Sequence, residues 1–520
     1  MVSRVLGLGR DMLVTAAFGT SALASAFYTA FTLPNLFRRL LGEGALTAAF
    51  VPTLHEELKA RERAGAFALV NQVASWLFVA TGVIVVGAMA ALLQAAWLAG
   101  VARRWGVEPE TVERFVTSAD LAVVLFPYLV CVCLAAAFSA ALQTLGRFLE
   151  PALSPIWLNV AMIGLLGGAV YLGWSPTAEG RMLWLCGGAL LGGFLQMIVP
   201  AMALMREGWR PRFDLSAGDA VRQIARLMGP TVFGSAIYLI NMAVARIVGL
   251  SLNDSAVTVL NLATRLMELP IGVFAVAIST VVFPLIAKFA AAGDWPNLAN
   301  AYRKGMRLIL VINVPAAVGL VVLSVPIIRV LFQRGQFSAA DTAQMQPVLA
   351  VYALGLPFFS FVNLVLRAFY AQKDTVTPVR AAVLSFVVNL ALSLALMGPF
   401  GTVGLALAGN VAIGAQAWYL QRELARKHQA LRFHHLARDL GKVVGASAAM
   451  GVAVAAGWWG WARAVAPTKT TDGLALVLLI AVGVAVYGGL MWAWKIEGRD
   501  DLAAVLAKMR GKSGGARPHR

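Results

Sequence analysis

Seven charged residues lie inside segments of this sequence that are otherwise apolar. In chain order they are Arg10, Asp11, Arg38, Arg39, Glu43, Arg265 and Glu268. An ionised side chain at the centre of a bilayer costs about 2.5 to 3.5 kcal/mol, so seven facing lipid would cost about 17 to 25 kcal/mol. A typical domain has a net stability of only about 5 to 15 kcal/mol. We therefore expect these groups to line a wet interior, to pair with one another or to meet a charged ligand.

The balance of these charges indicates an anionic ligand. Four of the seven are arginines, and a guanidinium group stays charged when buried and can hold two phosphate oxygens with its planar fork. The five histidines lie in connections and in the C-terminal tail, and the sequence has no Ser-His-Asp set, metal-ligand spacing or Gly-rich phosphate loop. We expect no catalytic residue, no metal site and no cofactor.

The first apolar segment carries its charges on one side of a helix. Arg4, Leu8 and Asp11 are spaced for a single stripe, and Arg10 lies beside it. This segment could present two cations and one anion to an interior. The alternative is a self-neutralised pair of Arg10 and Asp11 that holds two helices together.

The second charged segment contains residues that bend helices. Pro34 precedes Arg38 and Arg39, and Gly42 and Gly44 flank Glu43. Such a pattern is typical of a kinked helix that lines a cavity. The alternative is that one or both arginines extend along the helix to the inner headgroups.

The third charged segment places Arg265 and Glu268 at positions i and i+3, just before Pro270. One interpretation is an ion pair within the helix. The other is that Arg265 faces Arg10 across a cleft between two halves of the protein.

The composition is that of a polytopic membrane protein. Hydrophobic residues make up 60% of the chain and charged residues 13%, against roughly 25% charged residues in a soluble domain. The mean hydropathy is +0.76. The net charge of +18 is explained by basic residues at the cytoplasmic ends of spans, so we expect no nucleic-acid partner. The three cysteines lie in apolar stretches and indicate neither a disulfide framework nor a zinc site.

Apolar runs separated by glycine, proline or charge clusters predict an all-α protein with about fourteen transmembrane helices. The runs fall near residues 2–18, 22–54, 67–99, 117–145, 151–173, 182–205, 228–250, 256–287, 307–332, 344–371, 379–398, 401–421, 440–462 and 473–494.

Basic residues are distributed unequally between alternate connections. With the N-terminus inside, the cytoplasmic side holds 28 Lys and Arg residues and the outer side holds eight. This asymmetry predicts that both termini are cytoplasmic. No cleavable signal peptide is present, and we expect the first span to act as its own targeting element. Because that span has only about seventeen residues and a span needs about twenty, we expect the natural start upstream of Met1.

A weak internal repeat divides the chain. Residues 50–54 resemble 282–286, and the pattern that begins at 146–147 resembles the one that begins at 373–374. Because an even number of spans returns the chain to the same side, we expect two pseudo-symmetric six-helix lobes in parallel orientation. The expected domains are an N-lobe at 1–215 (helices 1–6), a C-lobe at 216–435 (helices 7–12), two extra helices at 436–496 and a basic cytoplasmic tail at 497–520.

Five motifs closely resemble those of the MurJ (MviN) family of lipid II flippases. They are Ser3–Asp11, Leu33–Pro52, Arg265–Val273, Leu331–Phe337 and Phe369–Val379. The resemblance covers nearly the whole chain in order. It implies fourteen helices in two lobes around a central cationic cavity, within a superfamily that also holds drug antiporters and polysaccharide flippases.

The resemblance also implies a substrate and a site. Lipid II, the undecaprenyl-diphosphate-linked precursor of peptidoglycan, would cross the inner membrane by alternating access, and the last two helices would border a groove for its polyprenyl tail. The residues assigned to the diphosphate head are Arg10, Asp11 and Arg265, with Arg4, Arg38 and Arg39 in support. We add Glu43 and Glu268 to this substrate-binding set.

The chain departs from the family pattern at two positions. Many relatives carry Asp where this chain has Ser25 and Thr264. The cavity should therefore be more positive than usual, and a role for those acids in ion coupling is in doubt.

We therefore expect a flippase rather than an enzyme, located in the bacterial inner membrane and acting in cell-wall synthesis. The expected partners are lipid II and membrane lipids, with coupling to the membrane potential or a monovalent ion, and we expect a monomer. One alternative is a polysaccharide-lipid or drug exporter of the same superfamily. Another is a membrane enzyme acting on polyprenyl phosphates, which would need clustered acidic or His residues for metal-assisted chemistry.

Overall fold

The computed structural model describes residues 2–38, 46–372, 374–431, 436–466 and 468–497, and within helices it leaves aside the side chains of 48, 230–239, 273–281, 283 and 436–439. All regular structure in the described ranges is helical. The prediction of an all-α fold is therefore confirmed. Helices suit this composition because backbone polar groups in lipid must be bonded within their own segment.

The described residues up to Arg206 form eight helices. These are α1 (Val2–Phe18), α2 (Ala22–Arg38), α3 (Leu46–Leu92), α4 (Ala95–Arg104), α5 (Pro109–Leu125), α6 (Tyr128–Thr144), α7 (Leu149–Tyr171) and α8 (Ala178–Arg206).

The later described residues form eight more helices and a 3-10 turn at Gln429–Leu431. The helices are α9 (Asp219–Leu252), α10 (Ala256–Ala291), α11 (Trp295–Val322), α12 (Ser324–Leu331), α13 (Ala339–Ala371), α14 (Val376–Lys427), α15 (Leu436–Ala464) and α16 (Lys469–Ala493).

The lengths of these helices agree with a polytopic membrane protein. Within the described ranges, eight helical stretches are long and apolar enough to cross a membrane, or nine if the bent pair α5 and α6 counts as one span. Two of them, Ala49–Arg104 with 56 residues and α14 with 52, are more than twice the roughly 20 residues of one span. α3 is interrupted at Arg61 and Glu62, between the predicted spans 22–54 and 67–99, and α14 is interrupted at Gly401, where the predicted span 401–421 begins. The predicted count of about fourteen is consistent with this arrangement.

The second predicted span, at 22–54, contains α2 up to Arg38 and α3 from Leu46, and 39–45 lie outside the described residues. The fourth, at 117–145, differs from the prediction, because it is two helices bent by 45°. Pro127 lies at this break, and proline has no N–H to donate to the preceding turn. Hydropathy alone does not register such breaks because both flanking helices are apolar.

The first compact unit comprises Met1–Thr258 and Arg334–Ser338. Its α7 and α8 pack closely through small residues: a Cβ on Gly192 would lie 2.7 Å from the Leu158 Cα, and one on Gly188 would lie 2.8 Å from the Met162 Cα. Glycines at helix contacts let two backbones approach in this way. α1 packs on α7, and this contact positions the charges that α1 carries.

The second unit comprises Val259–Gln333 and Ala339–Arg520. Its last two helices pack on α11 and α12: the Tyr487 hydroxyl donates to the Val311 carbonyl at 2.9 Å, and Arg329 pairs with Asp472 at 3.0 Å. The expected lobe boundaries at 215/216 and 435/436 stay predictions.

Candidate functional site

Arg10 and Asp11 form a buried ion pair in the middle of α1. Arg10 Nη2 and Nε donate to Asp11 Oδ1 at 2.7 and 3.1 Å. Arg10 is 9% exposed and Asp11 is fully buried. Because an uncompensated buried charge is strongly destabilising, each residue stabilises the other in this apolar segment.

The guanidinium of Arg10 also reaches the neighbouring helix. Its Nη1 lies 4.0 Å from the Met162 sulfur on α7, and a thioether is only a weak acceptor. Asp11 therefore supplies the anionic partner in this structure. The structure contains the Arg10–Asp11 pair of the alternative named above, but both residues lie on α1, so the ion pair does not itself join two helices.

The other predicted arginines of the first unit that the structure describes, Arg4 and Arg38, are more accessible. Arg4, in the first turns of α1, is exposed. Arg38, the last residue of α2, is partly buried, and its Nε donates to the Asn35 side-chain oxygen at 3.1 Å. Arg39 and Glu43 lie outside the described residues.

In the second unit, Arg265 and Glu268 form the predicted pair within α10. The Nη1 to Oε2 distance is 3.8 Å, and the two side chains are 39% and 55% exposed. A pair this open to solvent contributes little to stability, typically below about 1 kcal/mol. Both charged groups are therefore partly exposed to solvent.

The structure thus brings the predicted residues together in two pairs, one in each unit. Each pair is made within a single helix. The prediction that Arg265 faces Arg10 across a cleft stays a prediction. Within the described ranges, no group of three or more His, Cys, Asp and Glu side chains could hold a metal ion.

A second polar cluster of the first unit was not predicted. Arg114 of α5 is only 8% exposed. Its Nε donates to the Asp254 carboxylate at 2.6 Å and its Nη1 donates to the Leu250 carbonyl at 3.1 Å. These bonds hold the connection between α9 and α10 against α5. In the sequence Arg114 lies just before the predicted span 117–145, among the basic residues expected on the outer side, and nothing in its neighbours indicated burial.

Ser25 of α2 holds the same connection. Its hydroxyl donates to the Asp254 carbonyl at 2.5 Å, accepts from the Thr258 backbone N–H at 3.3 Å and lies 3.0 Å from the Thr258 hydroxyl. Ser25 is fully buried. Ser25, where the resemblance implies that many relatives carry Asp, thus makes neutral hydrogen bonds at a place where an ionised carboxylate would face a carbonyl oxygen.

The motif Phe369–Val379 contains the N-terminus of α14. Asp374 accepts the backbone N–H groups of Val376 and Thr377 at 3.0 Å, and Lys427 donates to its carboxylate at 2.5 Å. Partial burial acts to raise the pKa of Asp374, but the bonds from Lys427 and Thr377 outweigh it and lower this pKa from 3.8 to about 2. These contacts cap the N-terminus of α14 and link it to Lys427 at the C-terminus of the same helix.

Comparisons with known proteins agree with this architecture. A sequence profile described as "Lipid II flippase MurJ" matches residues 14–468. Probable lipid II flippases MurJ of Rhizobium meliloti and Vibrio cholerae are 34% and 32% identical to this chain. The first match covers 93% of this chain and 90% of the relative, and the second covers 97% and 96%.

Solved structures show the same fold. A structure of the lipid II flippase MurJ in an inward closed conformation matches with a TM-score of 0.74 and 24% identity, over 95% of this chain and 97% of that one. An inward-facing multidrug resistance transporter of the MATE family matches with a TM-score of 0.64 and 15% identity, over 82% and 95%. The profile and the relatives extend over nearly the whole described helical array, and the chain belongs to the lipid II flippase MurJ family.

Proposed function

We propose that this protein is a lipid II flippase, which moves the undecaprenyl-diphosphate-linked peptidoglycan precursor from the cytoplasmic to the periplasmic leaflet by alternating access. The proposal rests mainly on Arg10, which is only 9% exposed although it lies inside an apolar helix. The chain belongs to the lipid II flippase MurJ family. Burying a guanidinium costs free energy, and binding of an anionic substrate explains why an arginine lies at this position.

The Arg10–Asp11 pair acts as an occluded form of the binding site. Each guanidinium-phosphate contact contributes about 1.5 to 3 kcal/mol as a charge-assisted hydrogen bond. A diphosphate can therefore compete with the single Asp11 carboxylate for Arg10. When the substrate leaves, Asp11 takes back the guanidinium, so the arginine is never buried without an anion.

Arg265 provides the accessible contact in the second unit. Its pair with Glu268 is long at 3.8 Å and half-exposed, so a phosphate displaces Glu268 at little cost. Arg4 and Arg38 extend the positive charge of the first unit, Arg39 keeps the supporting role that the resemblance implies, and Glu43 remains in the expected substrate-binding set.

The protein acts as a monomer in the bacterial inner membrane, with both termini in the cytoplasm. The excess of basic residues in alternate connections supports this orientation. Release of a tightly held anion to the outside requires a difference in affinity between two states. The membrane potential or a monovalent ion supplies that difference.

The direct test is the accessibility of lipid II at the outer face. In cells depleted of their own flippase, an externally added enzyme that cleaves lipid II should release its head group only when this protein is produced. Equal cleavage with and without the protein would contradict the proposal.

The second candidate is an exporter of another substrate within the same superfamily. The likeness to the MATE transporter concerns the fold alone, since the identity is 15%. A transporter of cationic drugs would be expected to present acidic groups, whereas α1 and α10 carry arginines. The lipid-linked sugar that accumulates in the cytoplasmic leaflet on depletion identifies the substrate: accumulation of a different glycolipid would favour the second candidate.

A further inference from the structure

An apolar groove runs along the second unit between α11, α13, α14 and the start of α15. Its volume is about 590 Å³. On one wall Met306, Leu310 and Val314 follow one another at successive turns of α11, and on another Gly414 and Trp418 lie on α14. Such a wall suits a hydrocarbon chain, because apolar contact needs no matching polar groups.

One end of the groove carries a cation. Arg422 lines the groove one turn beyond Trp418, and its guanidinium carbon lies 5.1 Å from the centroid of the Trp418 ring. Arg422 is exposed, and within the described ranges no carboxylate lies within ion-pair distance of it. By contrast, Arg426 on the same helix pairs with Glu423 at 2.9 Å.

This end of the groove is held rigidly and carries further positive charge. The Tyr302 hydroxyl of α11 donates to the Gln421 side chain at 2.7 Å. Arg303 donates to the Ala430 carbonyl at 3.1 Å, a neutral acceptor that leaves its charge in place. The first contact joins α14 to α11 and the second joins the 3-10 turn after α14 to α11, on the side that the basic residues predict to be cytoplasmic.

The dimensions fit a lipid chain that enters from a headgroup. From Arg422 to Gly414 the groove follows α14 for eight residues, or about 12 Å at 1.5 Å per residue. The cation thus stands at the mouth and the apolar wall extends from it towards the membrane interior. Tryptophan is enriched at this interfacial depth, and basic pockets between spans on the cytoplasmic side bind anionic headgroups.

We propose that this groove binds one anionic glycerophospholipid, with an acyl chain along α11 and the phosphate on the guanidinium of Arg422. A single unpaired arginine matches the single charge of a phosphodiester, whereas the diphosphate of a polyprenyl-linked substrate carries more charge. The site is built within the second unit alone, and it does not depend on the transport function proposed above.

The test uses the full-length purified protein in mild detergent, titrated with phosphatidylglycerol or phosphatidylcholine of the same acyl chains and followed by native mass spectrometry. The wild type should retain one phosphatidylglycerol about tenfold more tightly than phosphatidylcholine, as expected for one charge-assisted contact. Arg422→Gln should abolish this preference. Gly414→Leu, which places a side chain where a Cβ meets nothing within 4 Å, should fill the groove and weaken binding of both lipids.

Arg426→Gln is the matched control, since it removes a neighbouring arginine that does not line the groove, and it should leave the preference intact. The proposal is overturned if the wild type shows no preference, if Arg426→Gln loses as much as Arg422→Gln, or if undecaprenyl diphosphate displaces phosphatidylglycerol from the site at equal concentration. Because no transport is measured, these outcomes are separate from those that test the flippase function.

Discussion

At the scale of single residues, the two ion pairs differ in the solvent exposure of their side chains. Arg10 and Asp11 are sealed within α1 and depend on each other, whereas Arg265 and Glu268 are 39% and 55% exposed. Removing one member of a buried pair leaves a charge without a partner, and removing one member of an exposed pair does not. The same substitution should therefore act differently at the two positions.

The first prediction concerns Arg10 and Arg265. Arg10→Ala and Arg265→Ala should each fail to support growth of flippase-depleted cells, because each removes a phosphate contact. Arg10→Ala should also lower the amount of folded protein in the membrane, since it removes the cation that pairs with the buried Asp11 carboxylate, whereas Arg265→Ala should not.

Two further variants separate stability from function. The double variant Arg10→Ala with Asp11→Asn should restore the amount of folded protein in the membrane without restoring growth. The buried carboxylate charge is then gone, but the contact between Arg10 and the phosphate is still missing. Arg426→Ala should behave as the wild type. Growth of the double variant at the wild-type rate would argue against a role of Arg10 in substrate binding.

A second prediction concerns Asp374 and pH. Its pKa is depressed from 3.8 to about 2 in the folded protein, so the stabilisation it provides is present above about pH 4 and is lost as the pH falls towards 2. The difference in thermal midpoint between the wild type and Asp374→Asn in detergent should shrink over this range. A difference that stays constant from pH 6 to pH 2.5 would show that the carboxylate charge is not what matters.

At the scale of helices, close approach and interruption decide the geometry. The contact between α7 and α8 depends on glycines that lie against backbone atoms of the partner helix. The bend between α5 and α6 and the break in α14 at Gly401, where φ is +54°, interrupt long apolar stretches. A left-handed φ of this kind is accessible to glycine at little cost.

A third prediction compares two glycines in these helices. Gly192→Ala should lower the thermal midpoint in detergent, because its Cβ would lie 2.7 Å from the Leu158 Cα and force α7 and α8 apart. Gly164→Ala is the control: a Cβ there meets nothing within 4 Å, and alanine is favoured over glycine in a helix by about 1 kcal/mol. Equal midpoints for the two variants would contradict close packing of α7 on α8.

At the scale of the whole molecule, the chain comprises two units, each with its own apolar core. Membership of the MurJ family accounts for the fold and for a transporter rather than an enzyme. The direction of insertion stays a prediction from the unequal distribution of Lys and Arg between alternate connections.

The fourth prediction tests that orientation with reporter fusions. A phosphatase that is active only in the periplasm should be inactive when fused after Lys495 and active when fused after Thr177, in the connection between α7 and α8. A fluorescent protein that folds only in the cytoplasm should give the reverse pattern. Phosphatase activity at Lys495 would overturn the cytoplasmic placement of the C-terminus.

Much of the helical architecture could be predicted from the sequence because span formation is a local property. The first predicted span, 2–18, is α1, and the predicted interruptions near 60 and 400 coincide with breaks at Arg61, Glu62 and Gly401. Hydropathy over about 20 residues and the positions of glycine and charge carry this information. The bend within the fourth span was missed because both α5 and α6 are apolar.

The sequence by itself determined that charged side chains occupy apolar helices and therefore need partners, since the cost of burying a charge follows from residue type and hydropathy alone. Only the tertiary structure decided which partners they have. It seals Arg10 with Asp11 against α7, leaves Arg265 and Glu268 half in water, and ties Arg114 and Ser25 to one connection. Partner choice depends on which helices pack together and at what depth, and those contacts join residues up to 233 positions apart.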